Sequence, residues 1–314
     1  VLHKFYGFIR KGFDNMQVLV TGGVGFIGTN LVKRLLNDGH KVECLDNYST
    51  GKKENELDGC NYIEVDISDS LRRHKGFGLE TYQLEKPDVI YHLAAVPRIQ
   101  PSFLEPTKTF DSNVKATQNI MEYARTLNIP VVYAGSSSSH GDKYANPYTH
   151  SKWLGEEVVT MYNKVYNTFT AICRFYNVYG EYQLTEGAYC TVLGIFERLY
   201  NNNEPLTITG DGEQRRDFTH VDDIVDGLIR CGKGLSGSDD GVVIKGKTFE
   251  LGRGKNYSIN EIAGAFGDYP TKYIDKRPGE MRNTLNTDTK AKDMLGWNPK
   301  GDIIDYIKNN ILKK

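Results

Sequence analysis

The sequence predicts an α/β fold, a doubly wound parallel sheet with a smaller mixed α/β C-terminal lobe, and three observations predict it. Short apolar, β-branched runs alternate with stretches whose apolar residues recur at helical spacing, the pattern of strands joined by crossover helices. The first run, Val18-Leu19-Val20, passes directly into TGGVGFIG, with glycines at Gly22, Gly25 and Gly28 before a helical pattern begins at Thr29. The second run is followed at once by a carboxylate, Asp46, about 20 residues beyond the glycines.

Each glycine has its own task in a strand-turn-helix unit. Gly22 makes the tight turn, Gly25 lets a pyrophosphate approach where no Cβ stands in the way, and Gly28 lets the helix pack closely on the strand. The helix N-terminus adds free N–H groups and the positive end of a dipole. A dinucleotide is the expected ligand. Asp46 can accept hydrogen bonds from the adenosine ribose hydroxyls and would repel a 2′-phosphate, which favours NAD over NADP.

The elements follow in order. Leu31, Val32, Leu35 and Leu36 give a helix to residue 37, and Gly39 ends it. Residues 41 to 45 are the second strand. Residues 62 to 65 are the third, ending in Asp66-Ile67, where the chain can meet an adenine edge. Residues 87 to 93 are the fourth, followed by Ala94-Ala95, small residues where a cofactor must lie against the backbone. A helix over 113 to 127 and a strand over 131 to 134 come next. Every special residue falls at the carboxyl end of a strand, where ligands of parallel sheets bind.

Composition narrows the partners. The 314 residues are 39% hydrophobic and 25% charged with net charge -1, enough apolar material for a sizeable core and no surplus charge for a polyanion such as nucleic acid. The five cysteines are odd in number and scattered, which fits neither a disulfide framework nor metal-ligand spacing. No apolar stretch approaches the roughly 18 residues of a membrane span, and the first residues lack a signal peptide's apolar segment, so a cytoplasmic location is expected. Residues 1 to 15 are basic and aromatic and read as an N-terminal extension, with Met16 the natural start.

The chemistry follows the 131 to 134 strand. GSSSSHGD, Gly135 to Asp142, brings four hydroxyls to a strand terminus, and YTHSK places Tyr148 and Lys152 four residues apart on one helix face. A tyrosine with its ordinary pKa near 10 is a poor base at neutral pH. A lysine ammonium and a positive nicotinamide ring beside it would both favour the phenolate, while a serine holds the substrate hydroxyl.

Taken with Asp46-Asn47, VDI at 65 to 67, HLAA at 92 to 95, RFYNVYG at 174 to 180, GDGEQRRDFTHVDD at 210 to 223 and RPGE at 277 to 280, these motifs resemble the extended short-chain dehydrogenase/reductase family. Within it they are most similar to nucleotide-sugar epimerases of the UDP-glucose 4-epimerase type. The likeness runs from residue 16 to about residue 300, in order.

The resemblance implies a Rossmann domain over 16 to 175 with chain returning at about 214 to 233, and a nucleotide-sugar lobe from 176 to 213 and 234 to 314. It implies NAD as cofactor, with Gly22, Gly25, Phe26, Ile27 and Gly28 at the pyrophosphate. Asp46, Asn47, Ser49 and Gly51 would then hold the adenosine ribose and its phosphate, Asp66 and Ile67 would flank adenine, and Ala94 and Ala95 would line the channel. Lys152 would bind the nicotinamide ribose and tune Tyr148, with Phe175 and Val178 against the nicotinamide. The catalytic hydroxyl falls on Ser136. On the substrate side the resemblance implies Asn177, Arg216 and Arg277 at the diphosphate, Val192 in a segment closing over the nucleotide, Ile208 against the base and Glu280 on the ribose. It also implies a homodimer through helices at 114 to 127 and 152 to 166.

Ser137 and Ser138 stand where related 4,6-dehydratases place an acidic pair and decarboxylases a glutamate. Elimination across C5 and C6 needs an acid and a base beyond the tyrosine, which serines cannot supply. Epimerisation needs only oxidation at C4, rotation of the 4-ketose and reduction on the other face, with no metal. Two residues depart from the family pattern. His140 replaces a usual tyrosine and reads as a satisfied structural histidine, and Gly135 replaces a commoner serine. Asp222-Asp223 is expected to cap a helix over 224 to 231, 258 to 266 to form a brief helix, and 234 to 246 to form a surface loop. Two other readings stay open: a nucleotide-sugar dehydratase, decarboxylase or reductase, and a non-catalytic NAD-binding protein.

Overall fold

A computed structural model describes residues 15–69, 84–236 and 244–313. The N-terminal extension through residue 14 and most of the expected 234 to 246 loop lie outside the described residues. Six parallel strands come from residues 17 to 175: β1 (Gln17–Thr21), β2 (Lys41–Asp46), β3 (Cys60–Glu64), β4 (Val89–His92), β5 (Val131–Ser136) and β6 (Thr170–Phe175). The strand Lys247–Leu251 joins them to make a seven-stranded sheet in the order 3-2-1-4-5-6 with Lys247–Leu251 outside β6.

Alternation along each strand explains why helices cover both faces. Val18 and Val20 belong to one core with Val89, Tyr91, Val132, Ala171 and Cys173, while Leu19 belongs to the other with Ile90, Val131, Tyr133 and Ile172. Leu31, Val32 and Leu35 of the helix Phe26–Asn37 seal the first face together with Ile224, Leu228 and Cys231 of the helix Val221–Ser236. Ile120, Met121 and Ala124 of Ala116–Leu127 and Val159 and Tyr162 of Pro147–Tyr166 seal the second. The strand order reverses between β1 and β4, where neighbouring crossovers leave to opposite faces and a cleft opens at the carboxyl ends.

A third core holds the smaller lobe. Leu193, Phe196 and Leu199 pack with Leu206, Ile208, Phe218, Ile262, Phe266, Ile303 and Ile307. The expected division of the chain needs one correction. The strand Lys247–Leu251 pairs with β6, and Ala291 and Trp297 pack in the core of the main sheet, so parts of 234 to 314 belong to the dinucleotide domain. Conversely, Arg215–Asp217 pairs with Asn256–Ser258 away from that sheet. A pairing made over such sequence separations leaves no local pattern to read.

Two smaller expectations also change. The helix Val221–Ser236 runs through Gly234, so the predicted loop cannot begin there. Asp223 does not cap its own helix: its carboxylate accepts from Lys300 N at 3.0 Å and Gly301 N at 2.8 Å, tying down the C-terminal segment. The scattered cysteines form two close pairs of free thiols, Cys44 with Cys60 at 3.3 Å and Cys173 with Cys231 at 3.4 Å.

Candidate active site

The cleft has a volume of about 1210 Å³ and runs from the glycine turn to Arg216. Its floor begins where β1 meets Phe26–Asn37. Gly22 has φ +77°, and a Cβ on it would stand 2.8 Å from Ala94 N; a Cβ on Gly28 would stand 1.9 Å from Gly22 O. Both positions therefore exclude any side chain. Gly25 is the N-cap of that helix, with no side chain capping the helix amides, which leaves the first turn open to an anion. Phe26 and Ile27 line the cleft beside these glycines.

Two carboxylates stand at the next strand ends. Asp46 accepts from Val24 N at 3.1 Å and Tyr48 N at 2.9 Å; burial pushes its carboxyl up, against the pull of those amides. Asp66 accepts from Ser68 N at 2.8 Å and Asn47 Nδ2 at 3.0 Å. Burial opposes its ionisation, but the donors from Ser68 and Asn47 outweigh it and hold the carboxyl below its ordinary value. Asn47, Ser49, Ile67, Ala94, Ala95, Phe175 and Val178 line the same wall. Gly51 does not: it packs behind the turn, where a Cβ would meet Val24 Cγ2 at 2.6 Å.

The cradle fits the group that the glycines and Asp46 call for. Beneath it runs a buried chain that sequence reading missed: Thr21 Oγ1 to His92 Nδ1 at 2.7 Å, and His92 Nε2 to Thr117 Oγ1 at 3.1 Å. Burial pushes His92 down to about 3, so the ring is neutral and serves as a spacer that fixes Thr21, which in turn receives Ala94 N at 3.1 Å.

Ser136, Tyr148 and Lys152 converge at the end of β5. The Tyr148 hydroxyl donates to Ser136 Oγ at 3.4 Å, and Ser136 Oγ lies 2.9 Å from Ser138 Oγ. Burial pushes the Tyr148 phenol up, with the Ser136 hydrogen bond and then the Arg98 charge opposing it. Lys152 reaches the same corner, where its ammonium donates to Ala134 O and to Tyr133 OH, 3.3 Å away. Burial drives it down to about 8.

A carboxylate behind the serine sets its position. Glu156 Oε1 accepts from Ser136 N at 3.2 Å and Ser139 Oγ at 3.0 Å, and its Oε2 takes Arg174 NH2 at 2.7 Å. Arg174 continues to Glu250 at 3.1 Å, which also holds His140 Nε2 at 3.0 Å. Gly135 is part of this arrangement, since a Cβ there would stand 2.8 Å from Glu156 Oε1. His140 is thus a bonded histidine in an ion network.

The opposite wall comes from dispersed segments. Val192, Arg216, Arg277 and Glu280 line the cleft, with Arg216 NH2 3.6 Å from Glu280 Oε2. Asn177 lines it too, but its amide donates to Asp217 O and Thr284 Oγ1, both at 3.2 Å, joining the lobe to the sheet. Ile208 is a correction: it is 1% exposed in the lobe core, and its neighbours Thr207 and Thr209 face the cleft instead. The strand alternates, and the predicted position falls on the wrong face. Arg98 lines the cleft as well and carries no local motif.

Fold and site together define a dinucleotide-dependent enzyme class in which a serine and a tyrosine face the cofactor groove. Comparison with known proteins gives the family: residues 18–242 match the NAD dependent epimerase/dehydratase family, and the chain belongs to it. NAD is the cofactor of that family. A putative UDP-glucose 4-epimerase of Methanocaldococcus jannaschii is 31% identical, covering 94% of this chain and 99% of that one. UDP-glucose 4-epimerase of Mycolicibacterium smegmatis is 33% identical, covering 94% and 97%. UDP-glucuronic acid decarboxylase 4 of Arabidopsis thaliana is 31% identical, covering 91% and 65%. Among solved structures, UDP-glucose 4-epimerase of Thermotoga maritima with UDP-glucose has a TM-score of 0.84 at 26% identity, covering 95% and 98%. UDP-glucuronic acid 4-epimerase of Bacillus cereus, in complex with UDP-glucuronic acid and NAD, has a TM-score of 0.80 at 26% identity, covering 93% and 97%. The protein is therefore a nucleotide-sugar enzyme of this family. No helix among the described residues is long and apolar enough to cross a membrane.

Proposed function

We propose that the protein catalyses NAD-dependent 4-epimerisation of a nucleotide sugar, a UDP-hexose or UDP-N-acetylhexosamine. The observation that carries this reading is the composition of the reacting corner. Ser136 and Tyr148 share a hydrogen bond, and the two positions beside them, Ser137 and Ser138, line the cleft with hydroxyls and no carboxylate. That equipment serves one proton at C4 and lacks the extra acid and base that elimination needs.

When bound, NAD supplies reversible acceptance of the C4 hydrogen with its electron pair. Tyr148 takes the C4 hydroxyl proton and later returns it to the C4 oxygen. Ser136, held by Glu156 through its amide, orients that oxygen. Lys152 fixes the strand end through Ala134 O and meets the nicotinamide ribose. The half-buried cations Arg216 and Arg277 hold the diphosphate by charge-assisted forks, and Glu280 receives the nucleotide ribose. Between the two proton transfers the 4-ketose turns about its diphosphate tether. Gly22, Gly25 and Gly28, with Asp46, hold the cofactor in place throughout. A homodimer is part of the proposal: Met161, Val165 and Tyr166 are exposed along the helix Pro147–Tyr166.

A panel of UDP-hexoses, UDP-N-acetylhexosamines, UDP-pentoses and UDP-uronates tests the reading. Wild type yields the C4 epimer with no net NADH, and Tyr148→Phe binds NAD but loses roughly 10²- to 10⁴-fold in kcat. A decarboxylated or 4-keto product overturns it.

A further inference from the structure

We propose that Ser138 is a positioning residue for the chemistry at C4 and acts through Ser136: it receives the Ser136 proton while the site is at rest, and it donates to Ser136 once a carbonyl stands at C4. This rests on the reading above, in which C4 is oxidised and reduced again.

The hydroxyls at the end of β5 are not equivalent. Ser139 is turned to the carboxylate behind the serines, its Oγ donating to Glu156 Oε1 at 3.0 Å. Ser137 lines the cleft. Ser138 meets the catalytic serine, with Ser138 Oγ 2.9 Å from Ser136 Oγ.

Turn geometry holds that pair together. Ser136 is the N-cap of the short 3₁₀ helix Ser137–His140, and its Oγ accepts from Ser138 N at 3.2 Å. Ser138 O in turn accepts from Gly141 N at 3.0 Å, and Ser136 N donates to Glu156 Oε1 at 3.2 Å. The main chain of both serines is therefore fixed, and their hydroxyl hydrogens are the parts free to turn.

Donors and acceptors at Ser136 then set a direction. A serine oxygen offers two lone pairs and one proton. The Ser138 amide takes one lone pair, and the Tyr148 hydroxyl, the stronger acid of the two hydroxyls, takes the other at 3.4 Å. The Ser136 proton goes to Ser138 Oγ. At rest the chain runs from Tyr148 to Ser136 to Ser138, and Ser138, itself a cleft residue, keeps its own proton free to turn.

Oxidation at C4 reverses the need. A carbonyl carries no proton and asks for donors. Once Tyr148 has taken the C4 hydroxyl proton it donates to the C4 oxygen, and Ser136 turns its proton to the same atom. That leaves a lone pair on Ser136 which the Ser138 proton can enter. No O–H bond breaks at either serine; two hydroxyls rotate. Hydrogen bonds in a chain polarise one another, so the Ser138 donor strengthens the Ser136 donor at the oxygen where negative charge gathers as the carbonyl is reduced.

The test measures turnover of the NAD-loaded protein, on the sugar that the substrate panel selects, for wild type, Ser138→Ala, Ser138→Thr and Ser138→Val, and for Ser138→Ala combined with Ser136→Ala. Ser138→Ala is expected to lower kcat about 3- to 10-fold with KM held. Threonine and valine share a shape, so the kcat gap between Ser138→Thr and Ser138→Val, expected to be of the same size, reads the hydroxyl even where a branched side chain loosens the turn. Because Ser138 acts through Ser136, its loss should cost nothing further in a Ser136→Ala background. Unchanged kcat in Ser138→Ala, equal kcat in Ser138→Thr and Ser138→Val, or a full repeat of the loss in the Ser136→Ala background overturns the inference. A rise in KM with kcat held also overturns it, since Ser138 is then a plain contact to the sugar. A 4-keto or decarboxylated product from wild type overturns the epimerase reading instead, and the rate of C4 oxidation, followed as NADH formed in a single turnover, then decides the Ser138 assignment by the same comparison of variants.

Discussion

The two walls of the cleft are made from different material. The cofactor wall is backbone where the pyrophosphate would lie, a glycine turn, a helix N-terminus without a side-chain cap and two alanines at a strand end, with the carboxylates Asp46 and Asp66 beyond it. Its parts lie close in sequence or at fixed points of one sheet. The substrate wall is side chain: Arg98 from the β4 loop, Val192 from a helix, Arg216 from a lobe strand, and Arg277 and Glu280 from a late loop. A pyrophosphate and an adenosine are the same in every member of such a family, so a fixed backbone suffices. A sugar pocket that must distinguish substituents is better built from residues that change one at a time.

Breaking the backbone wall should have the larger effect. Gly28→Val places a Cβ 1.9 Å from Gly22 O, where only backbone can move. The variant is expected to lose the rise in Tm that NAD gives wild type, a rise that scales with the logarithm of ligand over Kd. A preserved NAD shift would show that the turn tolerates side chains and that the contrast is wrong.

Removing one member of the side-chain wall should be milder and selective. Arg216→Gln is expected to raise KM for UDP-sugars about 10- to 100-fold while NAD affinity holds, because only contacts to the diphosphate are lost. Equal loss of NAD and sugar binding would mean that the two walls are not independent.

The smallest effect concerns stability and sharpens the contrast from within the cofactor wall. Lys152 falls from an ordinary 10.5 to about 8 because burial disfavours its charged form. A base lowered in this way destabilises the fold fully below about pH 8, and the penalty fades as pH rises from there toward 10.5. Lys152→Met removes the charge, so the variant should melt roughly 2 to 4 °C above wild type near neutral pH. The gap should close in alkaline buffer. A gap that widened with pH would contradict the sign.

The same contrast explains what the sequence revealed. TGGVGFIG, Asp46 and the Tyr148-Lys152 pair are legible because local backbone demands and short spacings determine them. The strand Lys247–Leu251 was not, since KTFEL has charged residues at two of five positions and reaches the sheet only through pairing with β6. Ile208 was misread for a related reason: LTIT alternates, and only the tertiary fold says which face meets the cleft. Arg98 and Glu156 lie outside any phosphate or catalytic motif. Their meaning depends on a carbonyl of Tyr189 and an amide of Ser136, neither of which is near in the chain.

The central claim is that C4 is oxidised and reduced again within one binding event. It is tested most directly by following a UDP-sugar labelled with deuterium at C4, in ordinary water, by NMR together with NADH absorbance. The account predicts that the label stays at C4 in the inverted product and that no reduced cofactor accumulates. Loss of the label to solvent, or reduced NAD in proportion to product, would contradict it.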